Sequence, residues 1–505
     1  MFLFSFSLFL SRVPFISFYC FIIYLFLLLF LSALLVVLLL FSCFFSFFFK
    51  SFYFFHFWMG VFLVLFFFFP FRSHLCCRVL VVKRSEGNEH AEVMVSLCSK
   101  KGPLGAALSL SVATIGAGTL TLPLTFEDCG ILPVIAFMVL VGAFTVISID
   151  YLILCVDNVQ LRSYEEISRQ LLGRTFEEVA RWMLILYNVG VAAGYIVVIR
   201  ELLDPLVPII RGHFPFLDSS MRIIVIVWAF LMLPLTCIPQ ITSLHFVSLM
   251  AIASTFVVSG LIAYRYFVPF HSTAAQEGHA VKYFSLSRRM VLALPILMFS
   301  FDCQTLVFQI YAGIGEQTPK GMRKVSIISI GITGMVYWAV GLFGYLSNTP
   351  HVHGNILTNY NPIEDKLFAV GDAMYSFTVI IAYVLVLFPS RDAVFTLLYG
   401  YSSTTCDYFD AAISTKDNLI ASFLLSTLSL LLALKAPGIV FIIALLGGLC
   451  SSTLCFIYPA TFRIRLHALG IAPASSWELF IAFVMLGLGF IGGVMGSVVM
   501  FTGMS

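Results

Sequence analysis

The sequence predicts an all-α polytopic membrane protein, and three observations carry that prediction. Of 505 residues, 61% are hydrophobic and only 10% are charged, where a soluble globular domain averages about 25% charged; the mean hydropathy is +1.04. From Gly102 onward, apolar stretches of bilayer-spanning length alternate with short polar or Pro/Gly-containing connections. Two of these stretches are interrupted in mid-span. The first reads Thr114-Ile-Gly-Ala-Gly-Thr-Leu-Thr-Leu-Pro123 and the second Leu294-Pro-Ile-Leu-Met-Phe-Ser-Phe-Asp-Cys-Gln304.

Spans are expected, in order, at Leu104–Phe126, Leu132–Val156, Val179–Leu203, Arg222–Ile238 and Ser243–Val268. A second set follows at Met290–Ala312, Val325–Leu346, Leu367–Ser390, Leu419–Leu434, Ile439–Thr461 and Trp477–Gly503. Loop charge orients them. An inside N-terminus places Lys100, Lys101, Arg162, Arg169, Arg174, Arg181, Lys320, Arg323, Lys324, Arg391, Arg463 and Arg465 on the cytoplasmic side. The other side holds fewer, among them Arg211, Lys282, Arg288, Arg289, Lys366 and Lys435, which follows the positive-inside rule. The expected core is eleven helices, N-terminus in and C-terminus out.

Ahead of this core, residues 1–71 hold 25 of the 54 phenylalanines, in runs such as Phe66-Phe-Phe-Phe69. The block lacks the basic start and short apolar core of a signal peptide. Its Phe, Leu, Ser and Pro can all be written in pyrimidines, which reads as a translated leader with the true start at Met94, so that residues 1–93 would be missing from the mature chain. Two extra spans, Phe15–Phe41 and Phe52–Phe69, are the competing reading. Residues 72–101 read as a short cytoplasmic segment, and 102–505 as the helical domain.

The net charge of +3 has no dense basic cluster with interleaved aromatics, so nucleic acid is not an expected partner. The 12 cysteines show no CxxC and no zinc spacing; packing is the expected role for them. Neither metal nor cofactor is called for. No Walker-type phosphate loop and no HExxH occurs, which counts against a pump or a membrane protease.

An unpaired backbone group in lipid costs several kcal/mol, so helix breaks persist only where protein or a water-filled cavity receives them. Two breaks at corresponding places in two halves of a chain point to a transporter's substrate site. In the first, Gly116, Ala117 and Gly118 let the chain unwind between Thr114 and Thr119, and the freed amides can hold a carboxylate. Close packing of small residues is the alternative. In the second, Asp302 is an ionisable group inside a span, a functional candidate by default. It can meet a substrate ammonium, carry a coupling proton, or form a structural ion pair. Ser376 and Thr378, hydroxyls of the eighth span, are candidates for a coupling ion, against bonding to their own helix. Glu201 and Asp204 read equally as a solvated helix end or an outer gate, Arg265 as a snorkelling side chain, and the Glu165-Glu166 and Glu177-Glu178 pairs as a solvated cytoplasmic segment.

These motifs resemble those of the amino acid/auxin permeases, over Gly102 to Gly503. Gly116-Ala-Gly-Thr-Leu-Thr-Leu-Pro123 is similar to the family's GAGILGLP-type first-helix signature. Phe299-Ser-Phe-Asp-Cys-Gln304 through Tyr311 resembles its sixth-helix block, Asn355-Ile-Leu-Thr-Asn-Tyr360 a D/N-I-L-x-N-Y/F element, and Phe388-Pro-Ser-Arg391 its F-P-x-R segment. The texture is most similar to the permeases of kinetoplastid protists. The resemblance implies a LeuT-type 5+5 inverted repeat with an eleventh transmembrane helix. It implies an amino acid substrate held by Thr114, Gly116, Ala117, Gly118, Thr119, Ser300 and Asp302. Sodium-coupled relatives carry an Asn shortly before the glycine motif, where this chain has Val112. That departure leaves a coupling proton or facilitated exchange. Asp302, where many relatives are neutral, points to cationic amino acids. The expected function is therefore secondary amino acid transport, not enzymatic, in a plasma or vacuolar/lysosomal membrane. The alternative is an amino acid sensor on the same fold.

Overall fold

The computed structural model describes residues 102–237, 245–268, 281–285, 289–315, 317–399 and 414–502. The readings for 1–101 and for Arg288 lie outside them. The architecture is helical. The first predicted span forms two short helices, α1 (Pro103–Thr114) and α2 (Gly118–Cys129). Proline at the first position of α1 costs nothing, since that amide has no partner in the helix. Gly130 then takes φ +87°, and a Cβ there would lie 2.8 Å from the Phe284 backbone. Only glycine allows this turn. The segment 281–285 closes over it: the Lys282 and Tyr283 carbonyls accept the Ile131 and Leu132 amides that begin α3 (Ile131–Val159).

A cytoplasm-side helix by the predicted orientation, α4 (Tyr164–Leu171), starts on a Ser163 cap and leads into α5 (Arg174–Leu203). Next come α6 (Ser220–Thr236), with π geometry over Trp228–Met232, and α7 (His245–Phe267). The second broken span is α8 (Met290–Ser300) and α9 (Gln304–Gly313). The remaining helices are α10 (Pro319–Asn348), α11 (Lys366–Tyr399), α12 (Thr415–Lys435), α13 (Ile439–Ala468) and α14 (Ser476–Thr502). Among the described residues, eight segments are long and apolar enough to cross a bilayer. The three other predicted spans fall on α1 with α2, on α6 and on α7.

Burial sorts these helices. The α8–α9 segment is the most enclosed, with 83% of its most apolar stretch inside the protein, and α14 the least, with 28%. The interrupted span is thus central, as its polar mid-section requires, while α14 packs one face on α13. α10 lies along α1, α2 and α3, and α11 lies between α5 and α7.

Several polar groups inside the bundle are paired across helices. The Trp228 indole donates to Ser426 Oγ at 2.9 Å, and Tyr383 bonds both Ser426 and Ser429, tying α6, α11 and α12 together. Arg391 stacks over the Phe388 ring at 4.4 Å, the internal contact of the F-P-x-R segment. Arg200 donates to the Ala433 and Ala436 carbonyls at the C-terminal end of α12, the negative end of a helix dipole. Arg181 pairs with Glu177 at 3.0 Å and Glu178 at 2.9 Å, so the cluster read as a solvated segment holds a buried guanidinium.

Arg265, expected to snorkel, instead pairs with Asp365 at 2.7 Å, with both side chains buried. Asp365 Oδ1 also accepts the Leu367 amide at the start of α11. Removing one partner of such a pair strands a charge. Arg265→Met is expected to lower stability by about 3–5 kcal/mol, and Arg265→Met with Asp365→Asn to recover much of it. Thermal unfolding of purified protein in detergent checks both; an unchanged single variant would refute the pairing.

Glu201 is neither a solvated end nor free to swing. Its Oε1 accepts the Ile439 amide at the N-terminus of α13 at 3.1 Å, and its Oε2 accepts Asn355 Nδ2 at 3.2 Å. Asn355 belongs to the Asn355–Tyr360 element, which forms a 3-10 turn (Ile356–Asn359), and Glu127 Oε2 accepts the neighbouring Val352 amide at 3.0 Å. The loop is thereby fastened to α2, α5 and α13. Glu201→Ala is expected to cost about 1–3 kcal/mol, and to increase proteolysis within 350–362 if the fastening is what holds that loop.

Candidate functional site

The two breaks meet. α1 ends at Thr114, and its last turn closes through the Ile115 amide on the Ser111 carbonyl at 2.8 Å. The amides of Gly116, Ala117 and Gly118 then have no backbone acceptor among the described residues, before Thr119 and Leu120 bond back to Gly116 and Ala117. These amides precede the N-terminus of α2, where the dipole favours negative charge. On the other span, α8 ends at Ser300, and Phe301-Asp-Cys303 lies outside helical geometry before α9 begins. Gln304 Oε1 accepts the Cys303 amide at 2.9 Å, and its Nε2 donates to Ser148 of α3 at 3.3 Å. The second break is therefore capped partly by its own side chain.

Contact between the breaks is direct. A Cβ on Gly118 would lie 2.5 Å from Ser300 Oγ and 3.0 Å from Ser300 Cα. Across this crossing runs α10, whose fully buried Tyr337 places its hydroxyl 2.8 Å from the Thr114 carbonyl and 2.5 Å from the Ser300 carbonyl. The Tyr337 ring is held edge-on by Phe301 at 5.2 Å. Gly116 and Tyr195 of α5, whose hydroxyl would lie 3.5 Å from a Cβ on Gly116, both keep some accessible surface deep in the bundle. Their neighbours Ile115, Ala117 and Ile196 are buried. Gly116 and Tyr195 are thus the partly accessible groups beside the unwound amides.

The sequence-predicted residues therefore divide. Thr114, Gly116, Ala117, Gly118, Thr119 and Ser300 converge on one crossing. The hydroxyls of Thr114 and Ser300 bond back to Leu110 and Ile296 at 2.8 Å each, so their carbonyls face the crossing while their hydroxyls are occupied. The Thr119 hydroxyl is buried without a partner. Asp302 faces elsewhere: Tyr187 of α5, Ser451 and Cys455 of α13, and the Gln304 amide surround its carboxylate, yet neither oxygen completes a hydrogen bond. It is 5% exposed, and no ion pair to it is found among the described residues. Ser451 and Cys455 lie in the π-geometry stretch Gly447–Ile457 of α13, which re-aims side chains toward α8. Thr378 bonds Ser254 of α7 at 2.8 Å and the Met374 carbonyl at 3.0 Å. Ser376 is half-buried on the same helix. Their helix, α11, sets Tyr375 near Tyr337 and Tyr195.

Sequence reasoning missed Tyr337, Tyr195 and the Ser451–Cys455 pair. A tyrosine in the middle of an apolar helix gives no periodic signal, but Gly447-Gly-Leu-Cys-Ser-Ser452 is a third run of small and polar residues within a span.

Two broken helices crossing inside a bundle, with free amides at one break and a sealed carboxylate beside the other, define a polytopic membrane protein of transporter type. The model of the transmembrane amino acid transporter protein family matches residues 99–502, and the chain belongs to that family. Among solved structures, a Na+-coupled sialic acid symporter in its substrate-bound outward-open state is similar at 13% identity and a TM-score of 0.49. The match covers 79% of this chain and 90% of that one.

Proposed function

We propose that this chain moves amino acids across a membrane by alternating access. The observation that carries the reading is the crossing itself. Unpaired amides of Gly116, Ala117 and Gly118 stand beside the partly accessible Tyr195 and against Ser300 of the other broken span. An amino acid carboxylate matches those amides and the positive end of α2. The substrate ammonium would then turn toward the carbonyl-rich end of α8. Asp302, enclosed with no cation beside it among the described residues, holds the coupling proton: a buried carboxylate without a counter-ion is stable only when neutralised. A cationic side chain of lysine or arginine is the other way to neutralise it. The test is radiolabelled amino acid uptake into proteoliposomes across a substrate panel, with and without an inward proton gradient. Saturable uptake that rises with the gradient is expected. Folded protein that neither takes up nor exchanges any amino acid would overturn the proposal.

A further inference from the structure

The Tyr337 hydroxyl occupies an unusual electrostatic position. Thr114 and Ser300 are the last residues of α1 and α8, so their carbonyls belong to the C-terminal ends of two half-helices. Each such end carries about half a negative charge. Both oxygens approach one phenol oxygen, at 2.8 and 2.5 Å. The phenol has one proton to share between them. The Thr119 hydroxyl, itself without a partner, stands beside the same phenol. None of the ion pairs of the described residues reaches this crossing. The donor that faces the Thr114 and Ser300 carbonyls together is this one hydroxyl.

In transporters with broken helices, unwound carbonyls and half-helix C-terminal ends are where a sodium ion or a proton is coordinated. Here that meeting point is filled by a side chain that cannot leave easily. Tyr337 is fully buried, and its ring is wedged against Phe301. We infer that Tyr337 is a positioning residue that stands in for an alkali cation, joining the ends of α1 and α8 so that transport needs no metal ion at this crossing. The inference rests on the transport reading above.

Two consequences separate this role from ordinary packing. Wild-type flux should not depend on sodium, lithium or potassium. In Tyr337→Phe the ring still fills its slot, but two carbonyls and the Thr119 hydroxyl are left facing a gap the size of one oxygen. Three convergent oxygens suit a small hard cation. The experiment is counterflow of an equimolar mixture of radiolabelled amino acids into proteoliposomes. Wild type and Tyr337→Phe are compared in choline, potassium, sodium and lithium chloride. Wild type is expected to run at equal rates in all four. Tyr337→Phe is expected to fall at least about tenfold in choline, the effect of leaving buried acceptors unpaired. Sodium or lithium, but not choline, should restore a large part of that loss.

Wild-type flux that requires sodium or lithium overturns the inference, and this arm needs no variant to fold. So does a folded Tyr337→Phe protein as fast as wild type in choline, or one slowed equally in every salt. Absence of wild-type counterflow in all four media overturns the transport reading instead.

Discussion

Asp302→Asn is expected to abolish accumulation of substrate against its gradient while leaving exchange in place. Each pH unit across the membrane is worth about 1.36 kcal/mol per proton. A two-unit inward gradient, coupled one to one, therefore permits accumulation of about 100-fold. To draw on that gradient the protein needs a group that is charged in one stage of the cycle and neutral in another. Asp302 is such a group by placement. Its carboxylate lies in a cluster of Tyr187, Ser451 and Cys455, with no guanidinium or ammonium among the described residues to balance it. Asparagine keeps the shape and the capacity to face those neutral groups, but it cannot change charge. Steady-state accumulation in proteoliposomes should therefore fall from as much as about 100-fold to near unity. Counterflow, which moves label without net work, should stay within about threefold, since no transition-state interaction need be lost. Gradient-driven accumulation that survives in Asp302→Asn would remove Asp302 from coupling. Loss confined to lysine and arginine, with neutral substrates still accumulated, would assign the carboxylate to the substrate side chain instead.

The placement of this carboxylate shows what a single sequence conveys about such a site. An aspartate inside an apolar stretch is visible at once, because its cost in a membrane is large whatever its neighbours. The glycines at 116 and 118 likewise announce a break, since they act on the local backbone, whereas Pro123 and Pro295 sit inside continuous helix. The helices are legible for the same reason: length and apolarity set a span, and α3, α5, α10 and α12 begin or end within a few residues of their expected positions, apart from extensions into the loops. What a side chain faces is a tertiary property. Arg265 reads as a snorkelling cation until Asp365, 100 residues later, is placed 2.7 Å away. Tyr337 reads as one more aromatic in α10 until two helix ends, 223 and 37 residues away, arrive at its hydroxyl. The π geometry of α13 has no counterpart in the apolar pattern, and it decides that Ser451 and Cys455 turn toward Asp302.

Gly118→Ala is expected to cut flux sharply while leaving the protein folded. The added methyl would lie 2.5 Å from Ser300 Oγ and 3.0 Å from Ser300 Cα. The hydroxyl cannot simply rotate away at no cost, because it donates to the Ile296 carbonyl at 2.8 Å. The Cα cannot move without carrying the end of α8. The crossing must therefore widen by several tenths of an ångström, and a widened crossing parts the Thr114 and Ser300 carbonyls from the one hydroxyl that joins them. Overpacking of this kind costs about 1–3 kcal/mol, which the bundle as a whole can absorb. A misplacement of under 1 Å at a substrate-binding crossing is felt far more in rate, by about 100-fold. The expected result is a folded protein with a modestly lowered melting temperature and counterflow reduced about 100-fold. Ser300→Gly removes both the Oγ and the Cβ that oppose the methyl, leaving only the 3.0 Å contact with Cα. Combined with Gly118→Ala it should restore part of the lost flux, with a coupling energy of about 1–3 kcal/mol between the two sites. Additive losses in the double variant would mean that the two breaks do not work as a unit, and the site would have to be sought elsewhere along α8.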